Sequence, residues 1–164
     1  MLYVLIITLI FYRLNFLPFS PREFDLLYWI NMGAAAISVL AGSLLLRRAD
    51  AWPIIVEHLL FLEGVTLCFW AAASWWIPIL VALMLWRYVL RRDALRYEPS
   101  FWGMVFPLGM YATATFELMR AEGLAFLDPV PQLFVFVALA AWFLTFCGLL
   151  WSLGAASFRA RRMT

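Results

Sequence analysis

Apolar segments of bilayer length, separated by short charged connections, make up most of the sequence. The stretch from Gly64 to Trp86, for example, contains no charged residue, and about 20 apolar residues in a helix cross the hydrocarbon of a bilayer. Backbone N–H and C=O groups in lipid have no water to bind, so such a segment must satisfy them within a helix. The sequence therefore predicts an all-α integral membrane protein surrounded by a lipid bilayer.

Composition supports this class and argues against others. The chain is 66% hydrophobic and 13% charged, whereas soluble domains have about 25% charged residues. Its twelve basic residues are all arginine and its net charge is only +2, which does not indicate nucleic-acid binding. One histidine and two cysteines without a CxxC motif give no basis for a metal, a cofactor or an enzyme. Cys68 and Cys147 are interpreted as small buried hydrophobic residues.

We predict a single helical domain over 1–164 with about five membrane crossings, at 2–17, 26–46, 64–90, 101–119 and 132–158. Residues 52–63 are predicted to form an interfacial or partly buried helix that leads into the third crossing. As one straight helix, 51–92 would be about twice the bilayer thickness. A hairpin that turns near Ser74, giving six crossings, is therefore an alternative.

The arginines do not separate the two models of 51–92. Either model puts nine arginines on one side of the membrane and three on the other. The positive-inside rule then places the C-terminus in the cytoplasm in both cases. With five crossings residue 1 lies outside, as expected of a fragment or partial module that lacks preceding helices.

The segment 101–119 is interrupted by Pro107. Proline has no N–H to donate, and its ring crowds the carbonyl of Gly103. In lipid such a break is tolerated where neighbouring helices or a water-lined cavity satisfy the freed groups. This segment is therefore predicted to pack inside a bundle or to line a path.

Small and weakly polar residues recur on one helical face in two segments. In 26–46 the spacing of four, three and four joins Asn31, Ala35, Ser38 and Gly42. Gly33 in the same segment is a further candidate for a residue that lines the pore or kinks the helix. In 101–119 a similar spacing joins Trp102, Phe106, Gly109, Thr113 and Glu117. One interpretation is a pore wall. The other is close helix packing, which uses the same small residues, and spacing alone does not separate them.

Two titratable residues are candidates for polar roles. Glu117 shares a face with Phe106, but it lies three residues before Arg120. An ion pair between Glu117 and Arg120 at the membrane interface is therefore preferred over a site within the membrane. His58 is a candidate proton-linked group if transport is proton-coupled. The alternative for His58 is a solvated or interfacial side chain.

Three motifs resemble a known transporter family. They are Tyr28-Trp-Ile-Asn-Met-Gly-Ala-Ala-Ala-Ile-Ser, Phe69-Trp70…Trp75-Trp76-Ile-Pro78, and Trp102-Gly-Met-Val-Phe106-Pro107-Leu-Gly109-Met-Tyr-Ala-Thr. On these motifs, residues 20–120 resemble the tellurite-resistance/dicarboxylate transporter family, which includes the voltage-dependent or slow-type anion channels. The pattern Trp-x-x-x-Phe-Pro is the most specific part of the resemblance.

The resemblance implies a fold of ten helices in five hairpins, with five kinked inner helices around a pore and subunits that form homotrimers. This chain resembles the C-terminal half, with 26–46 and 101–119 as inner helices. Phe106 matches the phenylalanine that plugs the pore, with Pro107 and Gly109 supplying the kink beside it. The implied function is transport of small anions, of the tellurite, dicarboxylate (malate), sulfite or chloride class, across a bacterial inner membrane.

A structural or assembly subunit with no conducting path is the alternative function. Two inner helices cannot enclose a pore, so conduction needs a partner that supplies the missing N-terminal helices. A water-accessible route past Phe106 would distinguish the transport function from the assembly function.

Overall fold

A computed structural model describes residues 2–18, 20 and 23–161, apart from the side chains of residues 2, 15 and 156–161. This part of the chain contains six α-helices, short 3₁₀ turns and one π-helical turn, and it contains no strand. The helices are α1 (Leu2–Phe16), α2 (Trp29–Leu46), α3 (Pro53–Glu57), α4 (Leu59–Leu85), α5 (Trp102–Glu122) and α6 (Pro129–Arg161). The all-α fold class is therefore confirmed.

Local sequence signals account for several helix ends. The Asp25 side chain accepts a hydrogen bond from the Leu27 N–H at 3.0 Å and so begins the 3₁₀ turn that leads into α2. Gly123 ends α5 in the left-handed conformation (φ 66°), and its N–H donates to the Met119 carbonyl. Pro129 begins α6, as expected for a residue with no N–H to offer.

The segment between Asp50 and Arg92 contains one long helix. Helix α4 runs without interruption through Ser74, where the hairpin alternative needs a turn, and continues into a π-helical turn over Trp86–Leu90. It begins at Leu59, before the predicted start of the third crossing at residue 64. The short helix α3 covers only the first part of 52–63. The number of membrane crossings stays a prediction.

Helices α2 and α5 run side by side in the same direction. Gly33 in the first half of α2 contacts Pro107 in the first half of α5. At the other end, Arg47 just after α2 bonds Glu117 in the last part of α5. In the fold that the family resemblance implies, two inner helices run parallel in this way, and the chain between them contains one helix of opposite direction.

Helix α4 runs antiparallel to α5 and is joined to it by two hydrogen bonds. The Trp70 Nε1–H donates to the Thr115 hydroxyl at 3.0 Å, and the hydroxyls of Ser74 and Tyr111 lie 2.7 Å apart. The residue numbers therefore rise in α4 as they fall in α5. Side-chain hydrogen bonds of this kind are a main source of helix association in membranes.

The two remaining long helices keep the alternation of direction. The rings of Tyr3 and Phe11 in α1 lie 5.6 and 6.0 Å from those of Phe69 and Trp75, respectively, so α1 is parallel to α4.

On the other flank of the bundle, α6 is antiparallel to α5. The Tyr111 and Phe134 rings lie 4.7 Å apart near its start, and Gly148 near its end faces Tyr97, which precedes α5. The five long helices thus run alternately up and down, as five crossings require.

The core lies among α2, α4 and α5. Its fully buried members include Met32 and Val39 from α2, Leu80 from α4 and Leu118 from α5. Helices α1 and α6 contribute mainly half-buried residues and leave most of their apolar side chains exposed. In a bilayer such surfaces face lipid at no cost, because lipid tails are as apolar as leucine.

The two cysteines do not lie in the core. Cys68 on α4 and Cys147 on α6 are both free and exposed. The prediction that they are buried was wrong, because an apolar run in a membrane helix does not say which of its residues face lipid and which face protein.

By length and composition, three helical segments can cross a membrane: Leu26–Leu46, Leu59–Leu90 and Ala125–Ala155. Tyr3–Leu14 is apolar but shorter. Helix α5 is not among the three. Its last turns carry Glu117, Arg120 and Glu122, and its body contains glycines and hydroxyls. Helix α5, which contains the Trp-x-x-x-Phe-Pro motif, is therefore the least apolar of the long helices.

The Ser74–Tyr111 hydrogen bond gives a stability prediction. Tyr111→Phe deletes the hydroxyl and one interhelical bond, and we expect a loss of about 0.6 kcal/mol in the free energy of unfolding, with an upper bound near 1.7 kcal/mol. Equilibrium unfolding in mixed detergent micelles measures it. The control is Thr8→Val, because the Thr8 hydroxyl bonds only the Val4 carbonyl of its own helix. Equal losses in both variants would contradict a specific contribution from the α4–α5 bond.

Candidate pore wall and gate

The predicted stripe on α5 forms an open face. Phe106 is 58% exposed, and Thr113 is exposed two turns further on. Between them, no other group of the described chain lies within 4 Å of the position that a Cβ on Gly109 would occupy. Trp102 is half-buried, and its indole N–H donates to the Tyr97 hydroxyl at 3.1 Å. The opposite side of α5, including Pro107, is buried.

The predicted stripe on α2 is oriented differently. Ala35 and Gly42 are buried, and a Cβ on Gly42 would overlap the hydroxyl oxygen of Thr66 in α4. The centre of this stripe is therefore a helix contact, which was the packing alternative. Asn31 and Ser38 are half-buried at its margin.

The polar groups of α2 are used within their own helix. The Asn31 side-chain amide donates to the Tyr28 carbonyl at 3.3 Å, and the Ser38 hydroxyl donates to the Ala34 carbonyl at 3.1 Å. The open face of α2 is instead apolar and consists of Ile30, Ile37, Ala41 and Leu44.

Gly33 and Pro107 form the closest approach between α2 and α5. A Cβ on Gly33 would lie 2.9 Å from the Pro107 Cγ and 3.1 Å from its Cβ. Both residues are buried. Gly33 therefore does not lie on the open face. Its missing side chain leaves the space that the proline ring occupies, and the break in α5 is covered by a neighbouring helix.

The open faces of α2 and α5 lie on one side of this helix pair. Because the buried faces of both helices point into the core shared with α4, their open faces point away from it together. We call this surface the α2–α5 wall. In its middle it carries only apolar groups and the Thr113 hydroxyl, which donates to the Gly109 carbonyl at 3.1 Å.

The charged end of the wall, where α2 and α5 finish, holds an ion pair that sequence spacing did not predict. Arg47 donates to the Glu117 carboxylate, which is the less exposed of the two side chains. The predicted Glu117–Arg120 pair was wrong. The Arg120 guanidinium instead lies 5.4 Å from the centre of the Phe116 ring. A partner on another helix, far away in sequence, cannot be found from spacing within one helix.

His58 lies between α3 and α4 and is exposed. It lies at the end of the bundle where α4 starts and α2 finishes. Among the described residues, no group of three histidine, cysteine or acidic side chains could hold a metal ion. A proton-linked role for His58 stays a prediction.

Glu122, at the end of α5, was not singled out from the sequence. One of its carboxylate oxygens is buried without a hydrogen-bond partner within the described chain. Burial first, and the Glu63 carboxylate second, raise the pKa of Glu122 above its ordinary value. The sequence does not show that these two carboxylates are close together, because Glu63 belongs to a different helix.

A bundle of long apolar helices, with a parallel pair that carries a buried proline next to an exposed phenylalanine, is the arrangement of a helical integral membrane protein. The chain belongs to the voltage-dependent anion channel family, SLAC1, whose model matches residues 1–150. The family resemblance seen in the sequence is thereby confirmed. Members of this family are channels and transporters, so transport of anions in general follows for this integral membrane protein.

The chain is similar to one relative of nearly its own length and to two that are much longer. An uncharacterized membrane protein of Mycobacterium tuberculosis is 39% identical over 161 residues, which cover 98% of this chain and 81% of that protein. Two uncharacterized transporters of Methanocaldococcus jannaschii are 24% and 23% identical over 127 residues, 77% of this chain but only 35% of each transporter. No solved structure matches the chain.

The Gly42–Thr66 contact gives a second stability prediction. Gly42→Ala would place a Cβ against the Thr66 hydroxyl oxygen, and we expect the free energy of unfolding to fall by about 1–3 kcal/mol from overpacking. Thr66→Ala in the same chain removes the clashing atoms and should restore part of the loss. Unfolding in mixed micelles is the measurement. Gly64→Ala, whose Cβ would meet nothing within 4 Å, is the control. Strictly additive effects at positions 42 and 66 would argue against the contact.

Glu122 gives a pH prediction. Since its pKa is raised in the folded chain, stability is favoured while the group is protonated and falls as pH rises through that raised pKa. Glu122→Gln removes this dependence, so the variant should match the wild type near pH 4 and exceed it at pH 7. Thermal unfolding in detergent across this range, with the exposed Glu57→Gln as control, tests it. Parallel pH curves for wild type and Glu122→Gln would refute the assignment.

Proposed function

We propose that this chain supplies two neighbouring inner helices, α2 and α5, to a pore that conducts small anions and is gated by Phe106. The tellurite, dicarboxylate, sulfite and chloride classes are the proposed substrates. The N-terminal helices that complete the ring come from a further part of the protein or from a partner. The assembly is a homo-oligomer, a trimer by family resemblance, in a bacterial inner membrane.

The observation that supports this proposal best is the contrast between two adjacent residues. Phe106 is 58% exposed on the α2–α5 wall, whereas Pro107 is buried against Gly33. A core aromatic would be covered by its own bundle. A large apolar ring held on an open face, next to a fixed backbone position, is suited to close a narrow path by excluding water.

The remaining wall suits rapid transport rather than tight binding. It carries no charged side chain between Trp102 and Thr113, so an anion would meet only weak dipoles there. Conduction requires that an ion leave a site as readily as it enters. Arginines lie at one end of the wall, where Arg47 is paired with Glu117 and Arg120 is exposed.

The orientation follows from the distribution of arginines. Arg13 and the group at Arg87, Arg91, Arg92 and Arg96 lie at the end where α1 and α4 finish. Because α6 runs in the same direction as α4, it finishes there too. The positive-inside rule then favours the cytoplasm for this end and for the C-terminus.

The test is anion flux through the reconstituted assembly. Phe106→Ala should raise flux several-fold, because it removes the ring that closes the path. Phe136→Ala is the matched control, because Phe136 is a similarly exposed phenylalanine (72%) on the lipid-facing helix α6. Chloride and malate efflux from liposomes, with equal protein per vesicle, gives the measurement for both variants.

Equal flux in wild type, Phe106→Ala and Phe136→Ala would count against Phe106 as the gate. If no anion flux occurs in any of them, the chain would instead act as an assembly subunit without a path. The packing of Gly42 against Thr66 is what such a subunit would also show.

A further inference from the structure

We propose that Gly33 of α2 is a positioning residue for the gate: by leaving space for the Pro107 ring, it fixes α5 at the level of Phe106 and so determines how tightly the gate closes. This inference rests on the proposed function, because it assigns a role to Gly33 only if Phe106 is the gate. It differs from the sequence interpretation of Gly33 as a residue that lines the pore or kinks its helix.

The first argument is the rigidity of the contact. A Cβ on Gly33 would lie 2.9 Å from the Pro107 Cγ and 3.1 Å from its Cβ, and 3.5 Å from the Pro107 Cα. A proline ring is closed onto the backbone, so its Cγ can shift only by a change of ring pucker, and its Cβ and Cα move only with the backbone. An atom added at Gly33 therefore pushes the backbones of α2 and α5 apart at this level.

The second argument is the position of Phe106 relative to that contact. Phe106 and Pro107 are adjacent, so a displacement of the Pro107 backbone moves Phe106 with it. Further along α5, Tyr111 and Thr115 are held by hydrogen bonds to α4. The displacement is therefore concentrated near the break, where Pro107 has already removed one helical hydrogen bond.

The direction of the effect follows from the arrangement of the helices. An added methyl group at Gly33 separates α5 from α2 at the level of Phe106. If these two helices are neighbours in a ring around the pore, their separation widens the ring at the gate. The Phe106 side chain then closes the path less completely, and flux rises.

Two other glycines contact neighbouring helices but lack this connection. A Cβ on Gly103 would meet the Leu27 Cδ2 at 3.0 Å, the far end of a flexible side chain that can rotate away. Gly42 contacts Thr66 of α4, on a different side of α2. Neither contact involves Pro107 or the residue next to it.

The experiment measures anion efflux from liposomes for Gly33→Ala, alone and combined with Phe106→Ala. Gly33→Ala alone should raise flux above wild type but less than Phe106→Ala does. In the Phe106→Ala background the same substitution should add nothing, because the ring that it displaces is gone. A purely structural defect would change flux by the same factor in both backgrounds.

Two glycine variants serve as controls in the same assay. Gly103→Ala should leave flux close to wild type, because Leu27 can move. Gly42→Ala disturbs the contact with Thr66, which does not involve Pro107 or Phe106. Any change in flux that it causes should therefore be the same with and without the Phe106 ring. An equal dependence on Phe106 for Gly42→Ala and Gly33→Ala would overturn the specific role of Gly33.

A second variant tests the contact from the other helix. Pro107→Ala deletes the Cγ that lies 2.9 Å from the Cβ position on Gly33. It adds no heavy atom, and it gives position 107 a backbone N–H that can complete the helical hydrogen bond. It should also raise flux only while Phe106 is present. This variant keeps the inference testable if Gly33→Ala does not assemble.

A second readout is the reactivity of a cysteine placed beyond the gate while Phe106 is kept. Thr113→Cys, in a chain with Cys68→Ser and Cys147→Ser, should react faster with a charged thiol reagent added at the Trp102 end of the wall when Gly33→Ala is present. An unchanged rate, together with flux that does not rise in Gly33→Ala, would refute the inference. If Phe106→Ala raises flux and Gly33→Ala does not, only the role of Gly33 is refuted. If Phe106→Ala also leaves flux unchanged, the proposed gate is refuted as well.

Discussion

The break in α5 must be covered by another helix, and this requirement shapes the bundle. Pro107 donates no hydrogen bond, and in lipid the freed backbone has no water to turn to. In this chain the proline ring is buried against Gly33 of α2, where a Cβ would lie 2.9 Å from the Cγ, so the break lies inside the bundle and not against lipid. Helices α2 and α5 are thereby held in parallel, and the residue before the proline is left on their open side.

Polar groups in the bundle are mostly used to hold helices rather than to bind a solute. Trp70 and Ser74 of α4 bond Thr115 and Tyr111 of α5 across the core. The hydroxyls of Ser38 and Thr113 bond carbonyls of their own helices. What remains on the α2–α5 wall is apolar or weakly polar, which agrees with a family of anion channels and transporters better than with a tight binding site.

Much of the fold could be predicted from the sequence, but its helix contacts could not. The stripe of α5 that contains Phe106 and Thr113 is exposed as the pore interpretation requires, whereas the corresponding stripe of α2 is buried at Ala35 and Gly42. Both have the same spacing. Spacing identifies a face of a helix, but the packing of the neighbouring helices decides whether that face is covered.

The sequence by itself determined that the chain is an all-helical membrane protein of the anion channel family, because bilayer-length apolar segments can only be helices and because the Trp-x-x-x-Phe-Pro motif is specific. It also indicated which residue breaks α5. Only the tertiary structure decided that Glu117 pairs with Arg47, that Gly33 receives Pro107, and that Cys68 and Cys147 are exposed. The physical reason is common to all three: lipid and protein interiors are similarly apolar, so the sequence of a membrane helix does not show which side meets which neighbour.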